Sequence, residues 1–391
     1  MESLTSESTL QFASQAAASG FFFMSPWRSL AAQGCFTTVT TPAFGGEALQ
    51  SGFQHEIRQR FLDAKRQGIA HPVLVGAIPF DANQPSSLFI PESSQYFDGK
   101  AYLQQMGAPK SELPDVMRRT ALPEQDAFMQ MVAQAVEATT TKQLDKVVLS
   151  RLMEIVTTEK IDIANLMTRL MTQNPGSYNF HVALPEGGSL LGASPELLMR
   201  KHDSRYYTHP LAGSARRESD EQKDRQAGQQ LMASTKDRYE HKLVTDAMRD
   251  VLQPRSAYLA LPATPELLTT STLWHLGTAI EGEVSQKADT ALSLACLLHP
   301  TPALSGFPHT TAQKLIAELE PFNRGLFGGI VGWCDEHGNG EWVVTIRCGK
   351  VNGNRVRLFA GAGIVPASSP ESEWRETGVK LNTMLRAFGL N

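Results

Sequence analysis

Two pairs of carboxylates, each spaced for one helix face, carry the first sign of chemistry in this chain. In Ser369-Pro370-Glu371-Ser372-Glu373-Trp374-Arg375-Glu376-Thr377-Gly378-Val379-Lys380, the residues Glu373, Glu376 and Lys380 stand at i, i+3 and i+7. A helix would set them on one side. Ser369 suits the N-cap of that helix and Pro370 its first position. Just upstream, Gly361-Ala362-Gly363 forms a tight segment able to offer backbone N–H groups to an anion. In Lys236-Asp237-Arg238-Tyr239-Glu240-His241, Asp237 and Glu240 repeat the i, i+3 spacing. Two helices with two carboxylates each supply the oxygen donors that Mg²⁺ takes. A solvated helix face with an ordinary ion pair has the same pattern, so the spacing alone leaves both readings open.

Single charged residues in apolar runs are the second sign. Lys146 opens the strand-like run Lys146-Val147-Val148-Leu149. Drawn inside, its amine would serve as a general base; left at a strand end, it would snorkel to water. Glu196 interrupts Leu190-Leu191-Gly192-Ala193-Ser194-Pro195-Glu196-Leu197-Leu198. Buried, it would stay protonated and act as a general acid; on a bulge after Pro195, it would face solvent. Arg347, in Val343-Val344-Thr345-Ile346-Arg347, suits a carboxylate clamp. His275, in Leu273-Trp274-His275-Leu276, reads as a satisfied core histidine, with an anion contact as the other use. Further tight segments around Gly213-Ser214 and Ala303-Leu304 offer backbone amides. No segment matches a phosphate-binding P-loop or a dinucleotide fingerprint.

The elements that must position these residues follow from periodicity. Helices are predicted over 53–67, across 220–252 as one long helical region, over 289–298, over 310–319, and from 370 onward. Strands are predicted at 21–36, 73–80, from 145 onward, and at 178–184, 189–199, 273–284, 328–335, 341–350 and 356–360. Pro185-Glu186-Gly187-Gly188, Gly338-Asn339-Gly340 and Asn352-Gly353-Asn354 supply turns between them. The stretch 93–122 reads as a polar excursion or linker, and residues 1–20 as poorly ordered. Hairpins outnumber strand–helix–strand units. The class expected is therefore α+β with antiparallel sheets, not a doubly wound parallel sheet.

Composition bounds the rest. With 391 residues and 41% hydrophobic content the chain can build one large domain with a real core. A net charge of -4 argues against nucleic acid as the main partner. The run Phe21-Phe22-Phe23-Met24 is too short to span a bilayer, and no longer apolar stretch occurs, so a membrane is not expected as a partner. Cys35, Cys296, Cys334 and Cys348 form no C-x-x-C pair and suit free thiols in a reducing cytoplasm.

In their order along the chain these segments resemble the chorismate-utilising enzyme family. Its members make isochorismate, salicylate, anthranilate and aminodeoxychorismate. The resemblance rests on D-K-V-V-L-S-R at Lys146, G-A-S-P-E-L-L at Glu196, P-L-A-G-S-A-R-R, K-D-R-Y-E-H, H-P-T-P-A-L-S-G, W-V-V-T-I-R, and G-A-G-I-V-P-A-S-S-P with its E-x-x-E. It covers 123–388, which would be the core catalytic region of a single chorismate-binding domain over 1–391. F-F-M-S-P-W-R-S and V-G-A-I-P-F-D are similar to the siderophore-type (enterobactin-pathway) isochorismate synthases and extend the match over nearly the whole chain. The implied fold is a β-sandwich-like core of large antiparallel sheets flanked by helices.

The implied reaction is the Mg²⁺-dependent isomerisation of chorismate, by attack of water at C2 and loss of the C4 hydroxyl. By resemblance, Lys146 activates the water and Glu196 protonates the departing hydroxyl. Glu240 and Glu376 hold Mg²⁺, with Asp237 and Glu373 in support. Arg347 holds the enolpyruvyl carboxylate. Gly213, Ser214, Gly361 and Lys380 line the same pocket, and His275, Ala303 and Leu304 lie close to the ring.

Ammonia-using members typically carry Gln where this chain has Lys146, and aminodeoxychorismate synthases a nucleophilic Lys where it has Ala212. Water is therefore the expected nucleophile, without a glutaminase subunit. Salicylate synthases tend to carry Thr at the position of Ala303, which favours stopping at isochorismate. A salicylate synthase and a menaquinone-pathway isochorismate synthase are the alternatives, with a non-enzyme chorismate-binding scaffold behind them. The resemblance also implies a monomer and hand-over of product to a downstream isochorismatase.

Overall fold

Phe21-Phe22-Phe23-Met24 shows how the molecule is layered. In a strand, successive side chains face opposite ways. All four of these are buried, so both faces of their sheet are covered. In the computed structural model, which describes residues 4–110 and 112–390, Phe21 and Phe23 join a core with Leu74, Ile78, Trp333 and Trp342. Phe22 and Met24 join a second core with Leu10, Ala13, Leu166 and Leu381. Burying each such large side chain contributes roughly 1.5–3 kcal/mol before conformational entropy is charged against it.

The first core lies between two large sheets, one ten-stranded and one nine-stranded. The second lies between the ten-stranded sheet and the helices Glu7–Ser19, Ile163–Gln173 and Pro370–Ala387. A small three-stranded sheet (211–216, 273–277 and 266–269) stands apart from both. Every strand pairing among the described residues is antiparallel. The α+β class and the sandwich-like core are as expected. Strands from distant parts of the chain share sheets: Phe21–Met24 pairs with Tyr178–Ala183, and Val73–Ile78 with Ile330–Asp335.

Two elements do most to build the site. The strand Lys146–Thr157 pairs along its length with Arg355–Ile364, setting Ser150 opposite Gly361 and Val148 opposite Gly363. The helix Pro370–Ala387 is capped by Ser369, whose side chain accepts from the Ser372 N–H at 3.3 Å, and has Pro370 in its first turn.

Several sequence expectations are corrected. Residues 7–19 form a helix that buries Leu10, Ala13, Ala16 and Ala17, because its small alanines let it lie close against the ten-stranded sheet. The expectation of poor order over 1–20 is therefore wrong from 7 onward, and Met1–Ser3 lie outside the described residues. The 93–122 stretch is not a linker: it holds strands Ser93–Phe97 and Val116–Leu122 and a short helix, Gly99–Gln105. Its polar residues sit on sheet edges, which reads as loop composition. The 220–252 region is two helices broken at Ser234, which ends the first and caps the second by accepting from the Asp237 N–H at 3.2 Å. The expected strands 21–36, 189–199, 273–284 and 341–350 each divide in two. In the last three the halves enter different sheets.

Candidate active site

A buried carboxyl faces two cations and two further carboxylates across one narrow cavity. Glu196, Glu240, Glu376, Arg347 and Lys380 all line it. So do Gly213, Ser214, His275, Ala303, Leu304 and Gly361. Every sequence candidate for the substrate pocket is thus brought to one place. Lys146, Asp237 and Glu373 are not on the cavity wall and stand behind those that are.

Lys146 has no exposed surface, and its ammonium lies 2.9 Å from Glu240 Oε1. The pair is close but not aligned as a hydrogen bond. The reading of Lys146 as a snorkelling strand end is excluded. The close fit depends on Gly363: a Cβ there would lie 2.1 Å from Glu240 Oε1 and 2.9 Å from Lys146 Cε. Sequence reasoning named Gly361 and left out Gly363, although the second glycine of Gly-Ala-Gly was the signal.

Glu196 follows the break at Pro195, where the chain leaves the ten-stranded sheet for the nine-stranded one. Burial pushes its carboxyl up to about 7, against the Leu211 N–H and the charges of Lys146, Arg347 and Lys380. The Leu211 N–H donates to Oε1 at 3.3 Å. Across the cavity, Arg347 is buried and sits at φ 48, a left-handed conformation that costs a non-glycine residue about 1–3 kcal/mol. His275 is not a satisfied core histidine: its Nε2 is buried without a partner. Burial, Arg347 and Lys380 hold its pKa well below the ordinary value, so it is neutral and available to a ligand.

The acidic helices come together as their spacing predicts, but lysines hold them. Lys236 reaches Glu373 at 2.8 Å and Lys380 reaches Glu376 at 2.6 Å, while Lys380 also donates to the Gly361 carbonyl at 2.8 Å. Burial works to raise Glu376, but Lys380, with Lys236 and the Ser214 hydroxyl in support, outweighs it and holds the carboxylate below its usual range. Burial and the neighbouring Glu376 push Glu373 up to about 7 despite Lys236. Burial is the main cause that raises Asp237. Among the described residues no three His, Cys, Asp or Glu side chains are drawn into a cation cage. The donor set nevertheless fits Mg²⁺. Glu240 and Glu376 are hard oxygen donors on the same cavity, Glu373 Oε2 is buried without a partner, and Mg²⁺ needs only one or two carboxylates when a substrate anion and water complete its shell.

Two supports were missed by sequence reasoning. His241, next to Glu240, meets the Ala212 carbonyl through Nδ1 at 3.1 Å and Thr278 Oγ1 through Nε2 at 2.7 Å, fixing the strand that carries Gly213 and Ser214. Glu320 and Arg324 form a buried ion pair at 2.6 Å. Glu320 accepts from the Ser150 N–H at 2.7 Å, and Arg324 donates to the carbonyls of Val148 and Leu304 at 2.8 and 2.7 Å. This pair ties the Lys146 strand to the Ala303–Leu304 loop. The spacing of Glu320 and Arg324, i and i+4, was visible, but nothing showed that both ends were buried.

Comparison with known proteins places the chain in a family. A family described as chorismate binding enzyme matches residues 90–389. The chain is 58% identical to isochorismate synthase EntC of Escherichia coli K12 over the full length of both. A crystal structure of the putative 2,3-dihydroxybenzoate-specific isochorismate synthase DhbC from Bacillus anthracis matches with TM-score 0.89 and 36% identity, over 98% of this chain and 100% of that one. The menaquinone-specific isochorismate synthase MenF from Escherichia coli matches with TM-score 0.79 and 25% identity, over 96% of this chain and 90% of that one.

Proposed function

This chain belongs to the chorismate-binding enzyme family, and we propose that it is an isochorismate synthase, an isomerase acting on chorismate for catecholate siderophore biosynthesis. The observation that carries this reading is the raised, buried carboxyl of Glu196 in a cavity that also holds Arg347 and Lys380 and backs onto Lys146.

Chorismate is a dianion, and two fixed cations lining one cavity suit its two carboxylates. Arg347 would take the enolpyruvyl carboxylate, and neutral His275 would offer a hydrogen bond near the ring. In the reaction a bond forms between the water oxygen and C2, the ring double bonds shift, and the C4–O bond breaks. Lys146 takes the proton from the attacking water. Glu196 gives its proton to the departing hydroxyl, which leaves as water. The hydroxyl is exchanged between carbons with no net change in atoms or electrons.

Glu240 and Glu376 would hold Mg²⁺, with Asp237 and Glu373 behind them. The ion would supply a positive site for the ring carboxylate and offset charge on the substrate. The whole chain would act as one chorismate-binding domain, since strands from its first hundred residues are shared with strands beyond 170 and 330. We take it to be a cytoplasmic monomer without a glutaminase subunit, passing product to an isochorismatase. No helix among the described residues is long and apolar enough to cross a membrane. The higher identity to the 2,3-dihydroxybenzoate-specific enzyme than to the menaquinone-specific one favours the siderophore pathway.

The test is to incubate purified protein with chorismate and Mg²⁺ and separate the products by liquid chromatography. Isochorismate is expected, and a chelator should stop its formation. Unchanged chorismate would overturn the reading, and salicylate with pyruvate would make the protein a salicylate synthase.

A further inference from the structure

A second cavity lies directly behind the wall of the first. It has a volume of about 550 Å³ and is lined by Arg119, Arg151, Arg216 and Arg375, which come from three different strands and one helix. Among the described residues none of these four arginines makes an ion pair. Several other cations have a carboxylate: Arg217 has Asp224, Lys236 has Glu373, Arg324 has Glu320 and Lys380 has Glu376.

Arg151 forms the buried part of the cluster, with only 4% of its surface exposed. Its Nε donates to Thr377 Oγ1 at 2.8 Å, and its guanidinium lies 3.6 Å from the centre of the Trp374 ring. These contacts fix its position but bring no negative charge. Burial and the like charge of Arg119 push its pKa down to about 10, which still leaves it a cation at neutral pH. A buried charge without a counter-ion is costly to a fold. Arg119, Arg216 and Arg375 are exposed around the mouth and add to the same field. Packing accounts for Arg151 alone. It leaves unexplained why three more arginines converge on a cavity whose one carboxylate, Glu376, is already paired with Lys380.

The dividing wall is thin. Ser214 and Glu376 line both cavities, and the Ser214 hydroxyl lies beside the Glu376 carboxylate. We propose that this arginine-lined cavity is a capture site for the dianionic carboxylate substrate, gathering it from solution beside the pocket in which it reacts. The site is concave and adjoins the reaction pocket, which suits a small dicarboxylate and not an extended polyanion. The proposal rests on chorismate being the substrate.

The exposed arginines can be neutralised without touching the reaction pocket. In the triple variant Arg119→Gln, Arg216→Gln, Arg375→Gln, kcat/KM for chorismate at low ionic strength should fall about 5–10-fold, with kcat within about twofold of wild type. The wild-type kcat/KM should drop as salt is raised through about 0.1 M, where the screening length falls to about 10 Å, and the variant's should be much flatter. Equal kcat/KM and equal salt dependence in the two proteins would overturn the capture site. If the triple variant does not fold, the single changes Arg119→Gln and Arg216→Gln are read in the same way, each with a smaller drop. Calorimetric titration of chorismate without Mg²⁺ separates this proposal from the assigned reaction. Tighter binding by wild type than by the variant, with no isochorismate formed, would leave the capture site standing and the reaction wrong. Turnover with equal binding and equal kcat/KM would do the reverse.

Discussion

The Lys146 ammonium lies 2.9 Å from Glu240 Oε1, and the carboxylate stands between that ammonium and the cavity. The residue proposed as base is thus held by a residue proposed as cation donor. A base must be free of its proton before it can take one from water, and an ammonium held against a carboxylate is in the wrong state. On the proposed mechanism Glu240 would have to turn away from Lys146. One movement would then serve both ends, uncovering the amine and presenting the carboxylate to the cavity.

Removing the amine should therefore have two separable effects. In Lys146→Gln, which keeps volume and a donor for Glu240, kcat should fall at least about 100-fold while chorismate binding by calorimetry changes little. Lys146→Ala should lose turnover and also about 3–5 kcal/mol of stability in denaturant unfolding, because Glu240 is left buried and unpaired. An unchanged kcat in either variant would remove Lys146 from the mechanism.

Activity should depend on the proton held by Glu196. Burial raises that carboxyl from its ordinary value to about 7, so in the free enzyme the acid form is present below that pH and lost above it. The profile of kcat/KM should therefore descend as pH rises through about 7. Glu196→Gln, which cannot donate a proton as an acid, should abolish turnover across the range. A profile that stays level to well above this pH would count against the acid assignment.

Gly363 should tolerate no side chain. A Cβ would lie 2.1 Å from Glu240 Oε1, so the carboxylate and the Lys146 stem must both shift. Gly363→Ala should lower kcat by about 100-fold or more, as misplacement by an ångström does at other sites. Gly176→Ala is a control for glycine replacement as such, because nothing lies within 4 Å of the Cβ it would add in an exposed turn, and its backbone is not in the left-handed region. Steady-state kinetics on the two variants decides the point.

A carboxyl far from the chemistry should make stability depend on pH. Glu341 is fully buried, accepts a hydrogen bond from Ser25 Oγ at 2.5 Å, and is pushed up to about 7 by burial. Its folded pKa lies above its unfolded one. Its favourable contribution is therefore complete below the ordinary carboxylate range and is lost as pH rises through about 7. Glu341→Gln, which keeps an acceptor for Ser25, should gain on the order of 1–3 kcal/mol relative to wild type at about pH 8 compared with about pH 5. Melting curves at both pH values test this, and an equal difference at both would refute it.

Much of the site was legible because its parts are local. Ser369, Pro370 and the spacing of Glu373, Glu376 and Lys380 describe one helix and one face, and the structure has that helix. Glu196 stood out because a carboxylate inside Leu190–Leu198 must be either buried or turned out. What stayed hidden depends on contacts between distant segments. No spacing rule connects Lys146 with Glu240, Lys236 with Glu373, or Arg324 with the carbonyl of Val148. The division of expected strands was hidden for a similar reason. Residues 273–284 keep an extended, largely apolar pattern throughout, and only the packing of two different sheets shows that the chain changes partners near Thr278. The Glu7–Ser19 helix was lost because alanine and serine read as low complexity until a surface is there to receive them.

The antiparallel pairing of Phe21–Met24 with Tyr178–Ala183, and of Val73–Ile78 with Ile330–Asp335, also bears on how the chain comes into being. During synthesis the early strands emerge long before their neighbours and must wait with open edges. Such long-range topology folds slowly and is exposed to aggregation in the interval. Glu373 and Glu376 emerge later still, on the Pro370–Ala387 helix. A chain cut short before residue 370 would lack both carboxylates and would also leave bare the face of the ten-stranded sheet that this helix covers.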